Sequence, residues 1–229
     1  MIDLKQKAAS RALNYVRSGM VLGLGTGSTV THFINLLGKR LFDGDLQNIQ
    51  AVPTSEVTAE HANNLKIPLV NLSQHPLLDL AIDGADEVDP NLNLIKGLGR
   101  ALLREKIIAI HSKRFIVIVD DTKLVPILGH LGPLPVEIVR FESLAHIHWL
   151  NSLGCVAKLW REKNDSPVVT DNGNFLARCW FEKGISNAKE LARLLENRPG
   201  IIEHGLFIDM ASEVIVASAE GTKILTAAH

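Results

Sequence analysis

Short apolar segments alternate with helical patterns along the first 120 residues, and this alternation limits the possible folds more than any other feature. Four segments have the length of buried strands, namely MVLGLG (20–25), IQAVP (49–53), LLDLAI (77–82) and RFIVIVD (114–120). Strands that alternate with helices form a mostly parallel sheet with helical crossovers. The sequence therefore predicts an α/β fold with a mostly parallel sheet.

Helix signals flank these strands. Asp3 can cap a helix that runs to about Val16, and Thr54 or Ser55 can cap a later one. The segment 26–40 is predicted to form a loop followed by a helix, and a further helix is predicted at 100–112.

The pattern changes near Gly129, in the glycine- and proline-rich segment GHLGPLPVE, which is typical of a hinge. The segments that follow predict a helix (143–153), a strand (155–160), a hairpin that turns near Asn172-Gly173, and a helix (187–197). Two strands in the tail could return to the first sheet. We therefore predict a sheet domain of residues 1–129 plus 205–229, interrupted by a smaller α+β domain at 130–204.

Composition limits the partners and the compartment. The formal net charge of -1 gives no general attraction to nucleic acid or to anionic membranes. Two cysteines without a CxxC motif are typical of a reducing compartment, and the histidines lack the HxxH or HExxH spacing of a metal site. The N-terminus is not typical of a signal peptide, and no apolar run approaches the roughly 20 residues of a membrane helix. These features predict a cytoplasmic protein without nucleic-acid or membrane partners.

The segment GLGTGST (23–29) joins a predicted strand to a helix and is the first candidate site. Gly25 and Gly27 let the backbone approach a ligand, and amides at a helix N-terminus suit a phosphate. Ligands of open α/β sheets bind beyond the carboxyl ends of strands. However, Ser28 stands where a dinucleotide fingerprint needs glycine, and the lysine of a P-loop is missing. The segment is either a phosphate-binding loop or an ordinary turn.

The segment DGADEVD (83–89) places four acids in seven residues at the end of another predicted strand. Crowded carboxylates repel one another, which raises some of their pKa values and suits proton transfer near neutral pH. The acids do not alternate as they do in a calcium loop. A solvated acidic turn is the alternative interpretation.

The segment IKGLGRALLREK (95–106) looks like a glycine loop that leads into a helix, although Leu98 and Arg100 interrupt it. Lys96 before the loop and Lys123 after the fourth strand could each bind an anion, or could simply be solvated. The segment TDNGN (170–174) is more typical of a hairpin turn than of a site.

Glu105 lies on the predicted helix, and every residue three or four positions away from it is apolar. A carboxylate on such a helix face is desolvated and its pKa is raised, as in a general base. An ion pair with a lysine is the alternative. The helix has a second apolar sector, which predicts burial on all sides: Leu103, Ile107 and Ile110.

Taken in order, these motifs resemble one family, type A ribose-5-phosphate isomerase. The resemblance extends along nearly the whole chain, through GLGTGST, DGADEVD, KGLGRALLREK, VDDTK, GPLPVE, VTDNGN and GLF. It implies a Rossmann-like domain interrupted by an α+β lid or oligomerisation domain, and assembly as a homodimer or homotetramer. It also implies that ribose 5-phosphate and ribulose 5-phosphate interconvert through an enediolate, in the non-oxidative pentose phosphate pathway, without metal or organic cofactor.

The resemblance also implies catalytic roles. Glu105 matches the base that moves a proton between C1 and C2 of the sugar. Asp83 matches a carboxylate that helps to open the ring and to move the hydroxyl proton. Asp86 and Lys96 match polar groups around the reacting end, where the backbone amides of KGLG would stabilise the enediolate oxygen.

The remaining matches concern substrate binding. Lys123 and Lys5 match the phosphate end of the site. The resemblance implies further substrate-binding positions at Thr26, Gly27, Ser28, Thr29, Gly84, Ala85, Gly97, Leu98 and Gly99.

The glycine loop departs from the family, which usually has K-G-G-G followed by Gly or Ala. Leucine adopts a positive φ only at a cost, so we expect strain if the loop needs that conformation at Leu98. If only the direction of the amides matters, the side chains of Leu98 and Arg100 can point away. Because Lys96, both glycines and Glu105 are present, we expect activity.

Two other classes match the sequence less well. Aminosugar deaminases share a TGST loop, but their histidine-bearing acidic motif does not follow the third strand here. A sugar-phosphate sensor would normally carry a helix-turn-helix and would lose the carboxylates, which are present.

Overall fold

The structure is a computed structural model that describes residues 3–226. Within these residues we number the strands β1–β13 and the helices α1–α6 in chain order. The chain forms two compact units. The first contains the chain up to Ala85, Arg104–Thr122 and the chain from Met210, and the second contains Asp86–Leu103 and Lys123–Asp209.

The first unit contains a six-stranded sheet in the order β13-β12-β6-β3-β1-β2. All neighbours pair in parallel except β12 and β13, which are antiparallel. This confirms the predicted parallel sheet and the return of two tail strands to it. The strands are β1 (Val21–Leu24), β2 (Gln50–Pro53), β3 (Leu80–Asp83), β6 (Phe115–Asp120), β12 (Glu213–Ser218) and β13 (Gly221–Thr226).

Four helices accompany this sheet in the chain, and the predicted caps are present. Asp3 accepts a hydrogen bond from the amide of Lys5 at 3.0 Å, and Ser55 accepts one from Thr58 at 3.1 Å. The first helix ends at Leu13 and not at about Val16. The amides of the next three residues bond to carbonyls three positions earlier, which is the 3₁₀ pattern. The helices are α1 (Leu4–Leu13), α2 (Ser28–Phe42), α3 (Glu56–Asn64) and α4 (Leu102–Ile110).

The core of the first unit lies between the sheet and these helices. Leu22, Leu24 and Ile82 of the sheet are fully buried, together with Phe33 and Leu37 of α2. The strand predicted at 77–82 begins only at Leu80, with β3. Of the two leucines before it, Leu77 is 54% exposed, whereas Leu78 is buried and makes only an isolated bridge to Ser112. The burial of a helix or strand therefore agrees with the apolar pattern of its sequence where the element is covered on both sides.

The second unit contains two antiparallel sheets. A four-stranded sheet has the order β10-β7-β9-β8, and a three-stranded sheet has the order β11-β5-β4. The strands are β4 (Glu87–Val88), β5 (Leu94–Ile95), β7 (Leu134–Ile138), β8 (Val156–Leu159), β9 (Phe175–Trp180), β10 (Ile201–His204) and β11 (Leu206–Phe207), and the helices are α5 (Ser143–Asn151) and α6 (Ala188–Glu196).

Several predictions for this unit need correction. The segment GPLPVE is not only a hinge, since it forms β7, a fully buried strand. The hairpin turn is confirmed, because the amide of Gly173 donates to the carbonyl of Thr170 at 2.9 Å. Its first arm, however, makes only isolated bridges, one of them at Pro167, which has no amide to donate.

The observed units also differ from the predicted domains of 1–129 plus 205–229 and 130–204. Residues 86–103 and 123–129 belong to the second unit, as do 205–209. The reason is the three-stranded sheet, in which the central strand β5 pairs with β4 on one side and with β11 on the other. Which unit acts as the catalytic domain and which as the lid or oligomerisation domain stays a prediction.

Both cysteines are free and buried in the second unit. A hydrogen bond between the two thiols lowers the pKa of Cys155, and the same bond together with burial raises the pKa of Cys179. Within residues 3–226, no helix is long and apolar enough to cross a membrane, and no three histidine, cysteine or acidic side chains cluster as metal ligands.

One carboxylate holds a whole loop of the second unit. Glu87 of β4 is 1% exposed, and it accepts hydrogen bonds from the four successive amides of Gly129, His130, Leu131 and Gly132 at 2.6–3.2 Å. Charge-assisted bonds of this kind are stronger than neutral ones. Within the acidic segment 83–89, Glu87 therefore has a structural role.

We expect Glu87→Gln to destabilise the protein, because it removes the charge and turns an NH₂ donor toward amides that are themselves donors. The expected loss is about 3 kcal/mol of the free energy of unfolding, or a Tm lower by roughly 6–12 °C. Thermal unfolding followed by circular dichroism measures this. Glu182→Gln changes an exposed acid of the same unit and should leave Tm unchanged. Equal Tm values for the two variants would contradict the structural role.

Candidate functional site

The first group of candidate residues lies where the strand order of the six-stranded sheet reverses. The chain goes from β1 to β2 on one side and then places β3 on the other side of β1. In open α/β sheets the carboxyl ends of strands at such a point form the ligand crevice. Residues 25–29 follow β1, and Asp83 ends β3, so both segments lie at this crevice.

Asp83 links these two strand ends. It is 2% exposed, and its Oδ1 accepts hydrogen bonds from the amides of Thr26 at 3.2 Å and Gly84 at 2.7 Å. A Cβ at position 25 would lie 2.1 Å from this oxygen, so only glycine fits there. The structure thus brings Thr26, Asp83 and Gly84 together, as the sequence predicted for the strand ends.

The hydroxyl of Thr26 belongs to a cluster of hydroxyl groups at the end of β2. Its Oγ1 lies 2.7 Å from Thr54 Oγ1, 2.8 Å from Ser55 Oγ and 3.1 Å from Thr58 Oγ1, and Thr58 in turn donates to the carbonyl of Gly25. The cluster fixes the loop in shape. Sequence reasoning missed Thr54 and Thr58 as supports of the site, because in the sequence they look like ordinary residues of a helix start.

The N-terminus of α2 carries the next predicted residues. Gly27 precedes the helix with φ +120°, a conformation that glycine adopts without strain, and Ser28 and Thr29 begin the first turn. The ammonium of Lys5 donates to Ser28 Oγ at 2.9 Å. The helix N-terminus and this lysine are both positive, so Lys5, Ser28 and Thr29 form a place that suits an anion.

Glu105 lies on α4 with only 3% of its surface exposed. Its neighbours three and four positions away, Ala101, Leu102, Ile108 and Ala109, are all buried, which confirms the predicted apolar surroundings. The helix lies close against the sheet, because a Cβ at Gly23 of β1 would be 2.4 Å from Ile108.

The prediction that α4 is buried on all sides is wrong. Ile110 is 65% exposed, and Leu103 and Ile107 are half-buried. The helix therefore has one covered face, and Glu105 lies on it. Because α4 also has an exposed face, a charged side chain could have lain there in contact with water. The position of Glu105 on the covered face is therefore unusual for a carboxylate.

The second group of candidate residues lies in the second unit, around the glycine loop. Lys96 is 2% exposed, its amide donates to the carbonyl of Gly205 at 2.9 Å, and its ammonium lies 5.5 Å from the centre of the Phe207 ring. A buried ammonium above an aromatic face is held in a defined position. Lys96 is therefore not the solvated lysine that the sequence left open.

The amides of this loop are not equivalent. The amide of Leu98 donates to Asp86 Oδ2 at 2.9 Å, and that of Arg100 donates to the carbonyl of Gly97 at 2.9 Å. Within residues 3–226, the amides of Gly97 and Gly99 have no hydrogen-bond partner. Of the KGLG amides that were expected to bind an oxyanion, those of the two glycines therefore remain as candidate donors.

The left-handed conformation falls on Arg100 and not on Leu98. Gly97 has φ +107° and Arg100 has φ +69°, whereas Leu98 lies outside this region. For a non-glycine residue the cost is about 1–2 kcal/mol. The strain considered for Leu98 is therefore located two residues later.

Asp86, Leu98 and Lys123 line one cavity of about 110 Å³ in the second unit, together with Leu131 and Gly132. The structure thus brings an acid and a lysine of the predicted site to the same place. Sequence reasoning missed Leu131 and Gly132, which lie in the segment interpreted as a hinge. Glu87 holds both of their amides, and this is a contact that no sequence pattern indicates.

Gly84 and Ala85 are half-buried and connect Asp83 to Asp86 along the chain. The candidate residues of the two units therefore comprise buried carboxylates, several lysines, and two amides that have no hydrogen-bond partner within residues 3–226. A buried carboxylate can take a proton from carbon, and amide donors can stabilise the oxyanion that forms next to it.

The chain matches the family model described as ribose 5-phosphate isomerase A (phosphoriboisomerase A) over residues 50–221. The probable ribose-5-phosphate isomerase 3, chloroplastic, of Arabidopsis thaliana is 46% identical over 98% of this chain and 83% of that protein. The ribose-5-phosphate isomerase A of Roseiflexus castenholzii is 48% identical over 95% and 92%, respectively.

Solved structures agree with these relatives. A D-ribose-5-phosphate isomerase in complex with phospho-erythronic acid is 45% identical, has a TM-score of 0.95 and covers 97% of both chains. The ribose 5-phosphate isomerase A of Methanocaldococcus jannaschii is 39% identical, with a TM-score of 0.93 and 98% of both chains covered. The fold, the order of the motifs and these comparisons agree, and the chain belongs to the ribose 5-phosphate isomerase A family.

Proposed function

We propose that Glu105 is the base in the reaction of this family. As a ribose-5-phosphate isomerase, the chain interconverts ribose 5-phosphate and ribulose 5-phosphate. The observation that supports Glu105 most strongly is its burial at 3% exposure among apolar neighbours. In such surroundings bulk water competes weakly for the carboxylate, which suits a group that removes a proton from carbon.

The reaction moves two protons. In our proposal, Glu105 removes the proton from C2 of the open-chain aldose, which gives an enediolate, and returns it to C1, which gives the ketose. Asp83 helps to open the sugar ring and moves the hydroxyl proton between the two oxygens. The position of Asp83 at the strand crevice, held by the amides of Thr26 and Gly84, supports this role.

The negative charge of the enediolate needs donors that are already in place. We assign this role to the amides of Gly97 and Gly99, with Lys96 and Asp86 as the polar groups around the reacting end. Two contacts support the assignment: Asp86 fixes the loop through the amide of Leu98, and the Phe207 ring holds the ammonium of Lys96.

The phosphate end of the substrate is assigned to Lys123 and Lys5, with the loop at 26–29. Lys5 lies beside Ser28 at the positive end of α2, and Lys123 lines a cavity with Asp86 and Leu98. The similar isomerase that binds phospho-erythronic acid supports a site of this kind, because that molecule carries a phosphate and a carboxylate. Gly84 and Ala85 complete the assigned substrate-binding positions.

For the assembly and the compartment, we propose a cytoplasmic homodimer or homotetramer that needs neither metal nor organic cofactor, in the pentose phosphate pathway. The family resemblance supports this proposal. The Arabidopsis relative named chloroplastic carries that location in its own name.

The first functional prediction concerns the base. Glu105→Gln keeps the size of the side chain but cannot accept the proton, so we expect kcat to fall by roughly a hundredfold or more. A coupled assay with ribose 5-phosphate and no added metal measures kcat. Glu60→Gln on α3 changes an exposed acid and should leave kcat unchanged. A Glu105→Gln enzyme with wild-type kcat would remove Glu105 from the mechanism.

The second prediction concerns the phosphate. Lys123→Ala removes a positive charge that we place at the phosphate in both ground state and transition state, so KM should rise more than kcat falls. We also expect weaker competitive inhibition by phospho-erythronic acid. Lys158→Ala, an exposed lysine of β8 in the same unit, serves as the control. If KM and the inhibition constant stay at their wild-type values, Lys123 does not bind the phosphate.

A further inference from the structure

Arg100 is the one residue of the glycine loop that combines a strained backbone with specific side-chain contacts. Its φ of +69° is one that glycine would adopt without cost, so the residue type must be favoured for another reason. The amide of Arg100 donates to the carbonyl of Gly97 and closes a turn around Leu98 and Gly99. A contact that fixes the position of Arg100 therefore also fixes that turn.

The side chain of Arg100 is held by two partners of the same unit. Its Nη1 lies 2.5 Å from Glu162 Oε1, and its Nη2 lies 3.3 Å from Glu162 Oε2. The guanidinium carbon lies 5.2 Å from the centre of the Trp160 ring. A planar guanidinium suits a bidentate carboxylate and an aromatic face at once, which an ammonium does not.

These two partners are fixed by their own contacts. Trp160 bonds through its backbone to Leu176 at 2.7 Å, and its ring also contacts the guanidinium of Arg178 at 5.0 Å. Glu162 begins a turn that its own amide closes with the carbonyl of Ser166 at 2.8 Å. Arg100 thus links the end of the glycine loop to two residues of the second unit that have further contacts of their own.

We propose that Arg100 is a positioning residue, which together with Trp160 and Glu162 holds the amides of Gly97 and Gly99 in the direction that the enediolate oxygen requires. This rests on the oxyanion role proposed above for those two amides. A glycine loop is flexible because its residues have few conformational limits. Asp86 fixes one point of the turn, at the amide of Leu98, and Arg100 fixes its other end.

The proposal also accounts for the departure from the family pattern. A glycine after the third glycine position would adopt the left-handed conformation more easily, but neither glycine nor alanine could reach Glu162 or Trp160. In this chain the ion pair, whose two side chains are each 41% exposed, and the aromatic contact oppose the backbone cost at Arg100. Arg100 acts through the loop and is not itself placed at the reacting atoms.

Two single variants and their combination test this role. Arg100→Gly keeps the left-handed backbone and removes the contacts, whereas Glu162→Ala removes the main partner at a position 62 residues away in the chain. We expect each to lower kcat about tenfold with KM within threefold, since small displacements of catalytic donors are costly. The double variant should be no slower than either single variant, because both changes remove the same interaction.

Inhibition separates positioning from general damage. Phospho-erythronic acid carries a carboxylate whose charge resembles that of the enediolate, so both variants should bind it about tenfold more weakly. Inhibition by inorganic phosphate should stay unchanged. Arg193→Ala breaks an exposed ion pair on α6 of the same unit and serves as the matched control for kcat and Tm.

The outcomes distinguish this proposal from the proposed function. Wild-type kcat in Arg100→Gly and Glu162→Ala, alongside an inactive Glu105→Gln, would overturn the positioning role and leave the base in place. A Tm loss in the two variants that accounts for the whole loss of kcat would also overturn it. An active Glu105→Gln would instead contradict the base, while the tenfold effects of the Arg100 and Glu162 variants could still be observed.

Discussion

The contact between Gly25 and Asp83 is the constraint on which the first unit depends. The carboxylate of Asp83 lies so close to the backbone at position 25 that a Cβ there would be 2.1 Å from its oxygen. This approach joins the carboxyl ends of β1 and β3 and lets the amides of Thr26 and Gly84 share one buried acceptor. A buried carboxylate is tolerable only with such donors. The same donors place Asp83 at the sheet crevice, so one interaction serves both stability and chemistry.

The second unit depends on two carboxylates that bind backbone amides. Glu87 holds four successive amides after position 128, and Asp86 holds the amide of Leu98. Adjacent residues in one acidic segment therefore have different roles, one purely structural and one beside the candidate site. The sequence shows four acids in a row of seven and cannot separate them, since the separation depends on which backbone amides lie nearby. Glu87 is buried in β4, whereas Asp86 lies just before the strand and is half-buried.

Much of the fold follows from sequence because its signals are local. Strand β6, the caps at Asp3 and Ser55 and the hairpin turn at Gly173 all rest on neighbouring residues, and the structure contains each of them. The short strands β4, β5 and β11 were missed because two residues carry no period. In addition, the pairing of β5 with β11 joins segments more than 100 residues apart. The burial of Glu105 was predictable from helical spacing, whereas the exposure of Ile110 was not, because spacing does not tell which apolar sector the sheet covers.

The glycine loop marks the limit of sequence reasoning most clearly. The sequence identifies Leu98 and Arg100 as departures but gives no backbone angle, and strain was expected only at Leu98. The amide of Arg100 bonds to the carbonyl of Gly97 and closes a turn. The residue with the left-handed conformation is Arg100, the last residue of this turn. A leucine at 98 can then occupy an ordinary conformation, with its side chain in the cavity and its amide on Asp86. The residue with the strained backbone is also the one whose side chain has an ion pair and an aromatic contact, so the cost and the contacts that oppose it belong to one residue.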